Sequence, residues 1–514
     1  MMKQSAFMAV VAGSLMLAGC TKDVYKEPAG QYAENFVEEF GSISPDQDWN
    51  MAGQKTVNVN PGAASQVEIY TLNGDAYQLA GRYRNVSGRQ TLTFDAAKSV
   101  NDFIVAAGGK ALRVRDGGSA DFANATTRTY QPDVSGVFTR LEDYKEFTRS
   151  EVMAFAETLP DGENNSGKAT DNFEIIAGNE RVTVFPVYWN AGNTHELGVY
   201  WYEGDVRREQ VVYTSKQGDD VQYKENGFWQ TPNVYMSQES LTDAATDIRS
   251  RGFAISLPAG TKYGFYINAT YGGSSRGVYY SNAGLNADGD KHAVIFTDGK
   301  TGRTFLGFED EANKDYDLND LVLIIDSEPV IVNNDPQKWI LAIEDLGDTD
   351  DYDFNDVVVE VEHVSGETTA KVTALAAGGS KDVQLYYVGA PVGGEFHTWF
   401  GEGAFKSGDF FNTQGSGARG KTIVIEGVPA DFTLASAESR MGGFQVSVEG
   451  GKAVVAAPGA GEAPQMICVP GSWKWPKERI NIKEAYPDFE RWCADPGYDW
   501  MRTVSEDQVL GNTN

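Results

Sequence analysis

The chain has 514 residues, a formal net charge of −30, 56 glycines, 4 histidines and 12% aromatic residues. That acidity excludes a nucleic-acid groove or an anionic-membrane face, both of which need clustered Lys and Arg. Short branched and aromatic runs between Gly, Asn and Asp punctuation, with little helical periodicity, predict a mostly β, multidomain chain: β-sandwich or jelly-roll modules with a few short helices.

Residues 1–19 read as an export signal, with Lys3 as its basic region and an apolar core over 7–17. The ending Leu17-Ala18-Gly19-Cys20 resembles the bacterial lipobox, which implies that Cys20 becomes the lipidated first residue of the mature protein. Acyl chains stabilise membrane association by ~0.8 kcal/mol per buried methylene, so an outer-membrane anchor follows. Thr21-Lys22-Asp23 resembles the acidic surface-export tags of Bacteroidota lipoproteins. Residues 20–51 form a tether and a short helix, with Tyr32, Phe36, Val37 and Phe40 at helical spacing, Gly41 as the stop and Trp49 as a core plug.

Residues 52–135 predict an N-terminal β-sandwich domain and 136–172 a connector, with a helix over 151–158 capped by Ser150 and ended at Pro160-Asp161-Gly162. Residues 173–328 form an Asp-rich β domain, in which 182–189 and 197–202 flank Asn190-Ala-Gly-Asn-Thr194 as a hairpin. Tyr188, Trp189, Tyr200, Trp201 and Tyr202 are either strand core or a sugar-stacking platform. Residues 329–514 form a C-terminal β domain with a terminal helical stripe, Tyr486, Phe489 and Trp492. Glu395 and His397 fall on one strand face, with Trp399 beyond. There they can bind a ligand or metal, act as acid and base, or make a structural hydrogen bond. Cys468 and Cys493 form either one disulfide or two buried thiols, and no Cys/His spacing suggests zinc.

Two copies of one acidic pattern organise the last two domains. Each runs from a Glu-Asp pair through Asp-Tyr-Asp-x-Asn-Asp into a run of branched residues, at 306–325 and 341–359. Carboxylates this dense repel one another by roughly 1 kcal/mol per pair at ~4 Å in water, and by about 4 at an effective dielectric of 20. Calcium reverses the sign, because it accepts six to eight carboxylate, amide and main-chain oxygens in irregular geometry. The candidate ligands are Glu309, Asp310, Asp315, Asp317, Asn319 and Asp320 in the first copy. In the second they are Glu344, Asp345, Asp351, Asp353, Asn355 and Asp356. An EF-hand is excluded: Asp320 and Asp356 stand where that loop needs Gly, and strands rather than helices follow. The alternative is a pair of self-bonded Asx turns with solvated charge.

Residues 339–359, Leu375-Ala-Ala-Gly-Gly379, Glu395-Phe-His397 and the 485–492 ending resemble the LruC-domain family of exported bacterial lipoproteins. The stretch from Gly264 through the first acidic copy resembles the Asp-rich domain that accompanies it, and residues 40–50 its usual lead-in, so the likeness spans roughly residues 180 to 500. The resemblance brings no catalytic residues, and calcium comes from the donor chemistry alone. The expected function is a non-catalytic, surface-exposed lipoprotein whose calcium-stiffened modules bind a glycan, matrix component or cell-surface protein. The alternatives are a carbohydrate-active enzyme or accessory of glycan uptake, and a structural stalk or surface-layer component.

Overall fold

The computed structural model describes residues 28–73, 76–123, 138–214, 224–225, 228–231, 248–312, 315–345, 351–401, 410–435 and 440–511. The signal segment and Cys20 lie outside the described residues. The chain is mostly β, in several sheets with a few short helices.

Near the N-terminus, a three-stranded sheet centred on Ala52–Asn60 faces strands Ser65–Asn73, Ala76–Val86, Asp102–Ala107 and Lys110–Arg115 across a core of Val57, Val67, Ile69, Phe94 and Phe103. The second of these sheets does not stop at the expected domain boundary. Val330–Pro336 pairs in parallel with Ala76–Val86 and antiparallel with Phe173–Ile176, so one ten-stranded sheet runs through both regions.

The first acidic hairpin, Thr304–Phe308 with Leu321–Ile325, lies inside a seven-stranded sheet. Both strands are buried throughout, because each face meets a different core. Leu306, Phe308, Leu321, Leu323 and Ile325 face the ten-stranded sheet. Phe305, Val322 and Ile324 lie under the short helices Arg149–Met153 and Phe155–Thr158. The second hairpin, Lys338–Ile343 with Val357–His363, lies inside a five-stranded sheet and joins the largest core. Into that core fold the N-terminal helix Pro28–Phe40 and the terminal helices Ile482–Ala485 and Phe489–Ala494.

Both hairpins hold the same place in their sheets. The spatial order is Ala293–Thr297, first hairpin, Val182–Trp189 in one, and Met466–Pro470, second hairpin, Thr369–Ala376 in the other. The register at the bend is also shared, with Phe308 opposite Leu321 and Ile343 opposite Val357. Chain order differs: the outer strands precede the first hairpin and follow the second.

Several local expectations are corrected. Val182–Trp189 and Thr194–Glu203 are not a hairpin: the first pairs with Leu321–Ile325 and Phe253–Ile255, the second with Val206–Thr214 and Lys262–Tyr271. The intervening residues therefore arch between two sheets, since burying both strands requires partners on opposite sides of the core. The helix near 151 starts from Thr148 rather than Ser150, through a reciprocal capping box with Glu151. Tyr32, Phe36 and Phe40 are buried, whereas Val37 is 45% exposed and lies off the packed stripe. Trp49, by contrast, is fully buried, as a core plug should be. Of the aromatic series, Tyr188, Trp189 and Tyr200 are core residues, which removes them from any sugar-stacking surface.

Candidate cation sites at the two acidic bends

The two bends share their backbone over 315–320 and 351–356. Tyr316 and Leu318 in the first, and Tyr352 and Phe354 in the second, all adopt left-handed φ between 52° and 58°. Such a conformation costs a non-glycine residue about 1–3 kcal/mol and persists only where the surroundings impose it. Here the alternating apolar side chains impose it: Leu318 is buried beneath the short helices, and Tyr352 and Phe354 are buried in the large core. With those anchored, the acids between them turn to one side. One oxygen each of Glu309, Asp315 and Asp317 lies within 4.8 Å of the others, as do those of Glu344, Asp351 and Asp353. Glu309, Asp310 and Asp320 make a further such group.

Hydrogen bonds across the bend also repeat. The Asp310 N–H donates to Asp320 Oδ2 (2.8 Å), and the Asp345 N–H to Asp356 Oδ2 (2.7 Å). The Asn319 and Asn355 N–H groups donate to Asp317 Oδ1 (3.3 Å) and Asp353 Oδ1 (3.1 Å). Glu344 Oε1 accepts the Phe354 N–H at 2.6 Å, while His195 Nε2 lies 2.6 Å from Asp310 Oδ2.

These bonds leave donors in deficit. Glu309 Oε2, Asp345 Oδ2 and Asn355 Oδ1 are buried without a hydrogen bond of normal geometry, on residues only 1–2% exposed. Such oxygens are costly unless something positive faces them. Burial first, and then repulsion from Asp317, Asp315 and Asp310, pushes the Glu309 carboxyl up to about 8. Burial likewise lifts Asp317 to about 6, against the pull of the Gly162 and Asn319 N–H groups. Asp320, Glu344, Asp353 and Asp356 are all raised well above the carboxylate range, by burial first and then by neighbouring acids, Asp310 and Glu309 for Asp320 and chiefly Asp345, Asp351, Asp353 and Asp356 at the second bend. All six predicted positions of each copy therefore gather at one bend, Asp315 on its exposed side.

Each bend is closed by a distant turn that pattern reading missed. At the first, residues 159–165 supply it. Asn319 Nδ2 donates to the Leu159 carbonyl (3.3 Å), the Gly162 N–H to Asp317 Oδ2 (3.0 Å) and the Asn165 N–H to the Tyr316 carbonyl (3.0 Å). Residues 476–482 do the same at the second. Asn355 Nδ2 donates to the Pro476 carbonyl (3.1 Å), the Arg479 N–H to Asp353 Oδ2 (2.8 Å) and the Ile482 N–H to the Tyr352 carbonyl (2.9 Å). The spacing within the two turns is identical, although Leu-Pro-Asp-Gly and Pro-Lys-Glu-Arg match at no position and only Asn164 and Asn481 coincide beyond them. The only sequence signal was the Pro-Asp-Gly turn itself, which reads as a helix stop.

Glu395, His397 and Trp399 do not share a strand face. Glu395 caps a 3-10 turn over Phe396–Phe400, its side chain accepting the Thr398 N–H, and the three-residue spacing drops Phe396 and Trp399 together into the core. His397 bridges Glu395 Oε1 (2.6 Å) and the Gly379 carbonyl (2.9 Å), while Trp399 Nε1 donates to the Gly394 carbonyl (3.2 Å). His397, oriented by Glu395, therefore holds the Gly379 carbonyl beside the second acidic site. Cys468 and Cys493 are free, buried thiols.

Residues 460–500 match a family described as a domain of unknown function, DUF4842. That span holds the strand Met466–Pro470, the second bracing turn and the terminal helices, the part of the chain that completes the second site. No curated protein and no solved structure matches the chain.

Proposed function

We propose that the chain is an outer-membrane-anchored, surface-exposed lipoprotein whose β modules are stabilised by calcium, and that it acts by binding rather than by catalysis. The observation carrying the ion is the buried oxygens of Glu309, Asp345 and Asn355, without hydrogen bonds of normal geometry, in two bends that repeat the same pair of left-handed residues. A divalent cation converts that deficit into coordination, and mixed carboxylate and amide oxygens in irregular geometry suit calcium over magnesium. Millimolar external calcium occupies from half to most of the sites with Kd values of ~10⁻³ to 10⁻⁴ M. Ions held in this way stiffen a display scaffold. The binding role rests on that scaffold, on the lipobox-like Leu17–Cys20 ending and on the resemblance to LruC-domain lipoproteins. Its partner is a glycan, a matrix component or a cell-surface protein.

Elemental analysis of the purified mature protein tests the ion: calcium in stoichiometric amount supports it, and metal-free protein overturns it. Glycan and matrix arrays test the binding role, which predicts retention without turnover. Release of reducing ends from a polysaccharide panel would instead favour the carbohydrate-active alternative. Cys20→Ala should release the protein from the membrane fraction, and protease treatment of intact cells should digest the wild type.

A further inference from the structure

We infer that Asp161 and Glu478 are the ligands that close the two ion sites from outside the acidic repeats, so that each ion ties its hairpin to a bracing turn far along the chain. The inference rests on the calcium reading above and extends it to residues no acidic pattern contains.

Three observations carry it. The bracing turns are geometrically one turn: each offers a carbonyl to the Asn side chain, then a left-handed residue whose N–H meets the central Asp, then a second N–H to the Tyr carbonyl. The left-handed residue is Gly162 in one (φ 73°) and Arg479 in the other (φ 61°). Immediately before it each turn carries an acid, Asp161 or Glu478, and two residues after it an asparagine, Asn164 or Asn481, whose Oδ1 accepts the N–H two residues on. Asp161, on the exposed side of its turn, lies beside the carboxyl of Asp317, a ligand of the first site, and raises it.

At the second site the oxygens themselves point the way. Glu478 Oε2, Asn355 Oδ1 and Asp345 Oδ2 are buried without a hydrogen bond of normal geometry, although the Thr413 hydroxyl lies beside the Glu478 carboxyl and Lys381 beside that of Asp345. All three converge on the Gly378–Gly379 bend. A Cβ on Gly378 would sit 2.1 Å from Asn355 Oδ1 and 3.0 Å from Glu478 Oε2, and one on Gly379 would sit 2.6 Å from Asp345 Oδ2. Both glycines thus leave open the space these oxygens face. Asn355 and Asp345 are 1% and 2% exposed, and a neutral water between them would leave the buried carboxylate charge uncompensated. An oxygen-seeking divalent cation satisfies the set, with Glu478 delivered by the turn.

Calcium titration by calorimetry into chelator-treated full-length mature protein tests this, alongside hydrogen exchange. Glu478→Ala should weaken one of two calcium-binding events by at least about tenfold, the scale of losing even an outer-shell partner, and Asp161→Ala the other. Calcium should slow amide exchange at 159–165 and 476–482 in the wild type; in each variant its own turn should lose that protection while the other keeps it. Glu478→Gln and Asp161→Asn, which keep the side-chain shape, should weaken the same events, and they carry the test if the alanine variants fail to fold. Wild-type protein that binds calcium normally, beside variants that bind it equally well, would overturn this inference alone. Wild-type protein that binds no calcium would overturn the ion reading with it.

Discussion

The two acidic bends place one backbone and one donor set in different surroundings. At the first, Asp315 is exposed, Tyr316 is half-buried with its hydroxyl 3.2 Å from Asp290 Oδ2, and the anchor Leu318 sits under two short helices. At the second, the Tyr352 ring is buried against Tyr32, Phe36 and Phe40, with centroids 5.2, 5.6 and 5.3 Å away. The N-terminal helix, about 300 residues earlier in sequence, thus rests on the second bend. Phe354 and Phe489 link the same bend to the terminal helices. The pattern therefore sets the ligand geometry, while the neighbours set how much of the molecule depends on it. Loosening the first bend frees a local cover; loosening the second undermines the contact between both ends of the described chain.

The largest expected effect separates the bends directly. In calcium, Glu344→Gln should lower stability by about 3–4 kcal/mol if it abolishes a site held several hundred-fold above its Kd, as ligand linkage requires. Glu309→Gln should cost less, with the loss confined to exchange near the first hairpin and its covering helices. Equal losses spread over the same amides would break the comparison.

A second pair tests the shared register. Gly307 and Ala342 occupy the same hairpin position, yet a Cβ on Gly307 would lie 2.1 Å from the Leu318 carbonyl. Gly307→Ala should therefore cost about 1–3 kcal/mol by overpacking. Ala342→Gly should cost about 1–2 kcal/mol, through backbone entropy and the loss of a fully buried methyl. Denaturant melts in saturating calcium read both.

Asp95 serves as a control, a buried acid without acid neighbours. It accepts the Leu434 N–H (2.7 Å) and the Ala435 N–H (3.3 Å), and burial pushes it up to about 7 despite both bonds. The native state thus holds a proton that the unfolded chain, with an ordinary Asp near ~4, has released. Its contribution is therefore fully present below the unfolded value and is lost as pH rises through about 7. Asp95→Asn should flatten that part of the melting profile, and calcium should leave the difference unchanged. A calcium-sensitive Asp95 effect would mean that the acidic bends do not act locally.

The smallest effect concerns the bracing turns. Arg479 holds a left-handed conformation that Gly162 adopts freely in its counterpart. Arg479→Gly should stabilise by about 0.5 kcal/mol, the relief of strain less the added freedom of the unfolded chain. Gly162→Ala should destabilise by roughly 1 kcal/mol.

Much of this was legible in the residues. The alternation of acids with Tyr, Leu or Phe announced the bends, and the mostly β architecture followed from the short branched runs between turns. The Trp49 plug and the stripe of Tyr486, Phe489 and Trp492 were readable because burial of large aromatics leaves few choices. What could not be read was pairing at a distance. The bracing turns share geometry, one acid and one asparagine, too little to stand out as a motif, and they lie before the first hairpin and after the second, so no fixed offset marks them. The arch at 190–194 looks like a hairpin because local turn signals do not say which sheet each strand will join. Thr148 displaced Ser150 as the cap because Glu151, three residues on, can close the reciprocal bond only with Thr148.

The most direct test of the ion is the sign of one substitution measured twice. Glu344→Gln removes a charge from a crowded bend while keeping an acceptor for the Phe354 N–H. The account predicts that the variant melts below the wild type in calcium and above it in excess chelator, by roughly 1 kcal/mol or more in the latter, the repulsion of one carboxylate pair at ~4 Å. A variant that melts below the wild type by the same amount in both would show that the bend is held by hydrogen bonds alone, and would contradict the account.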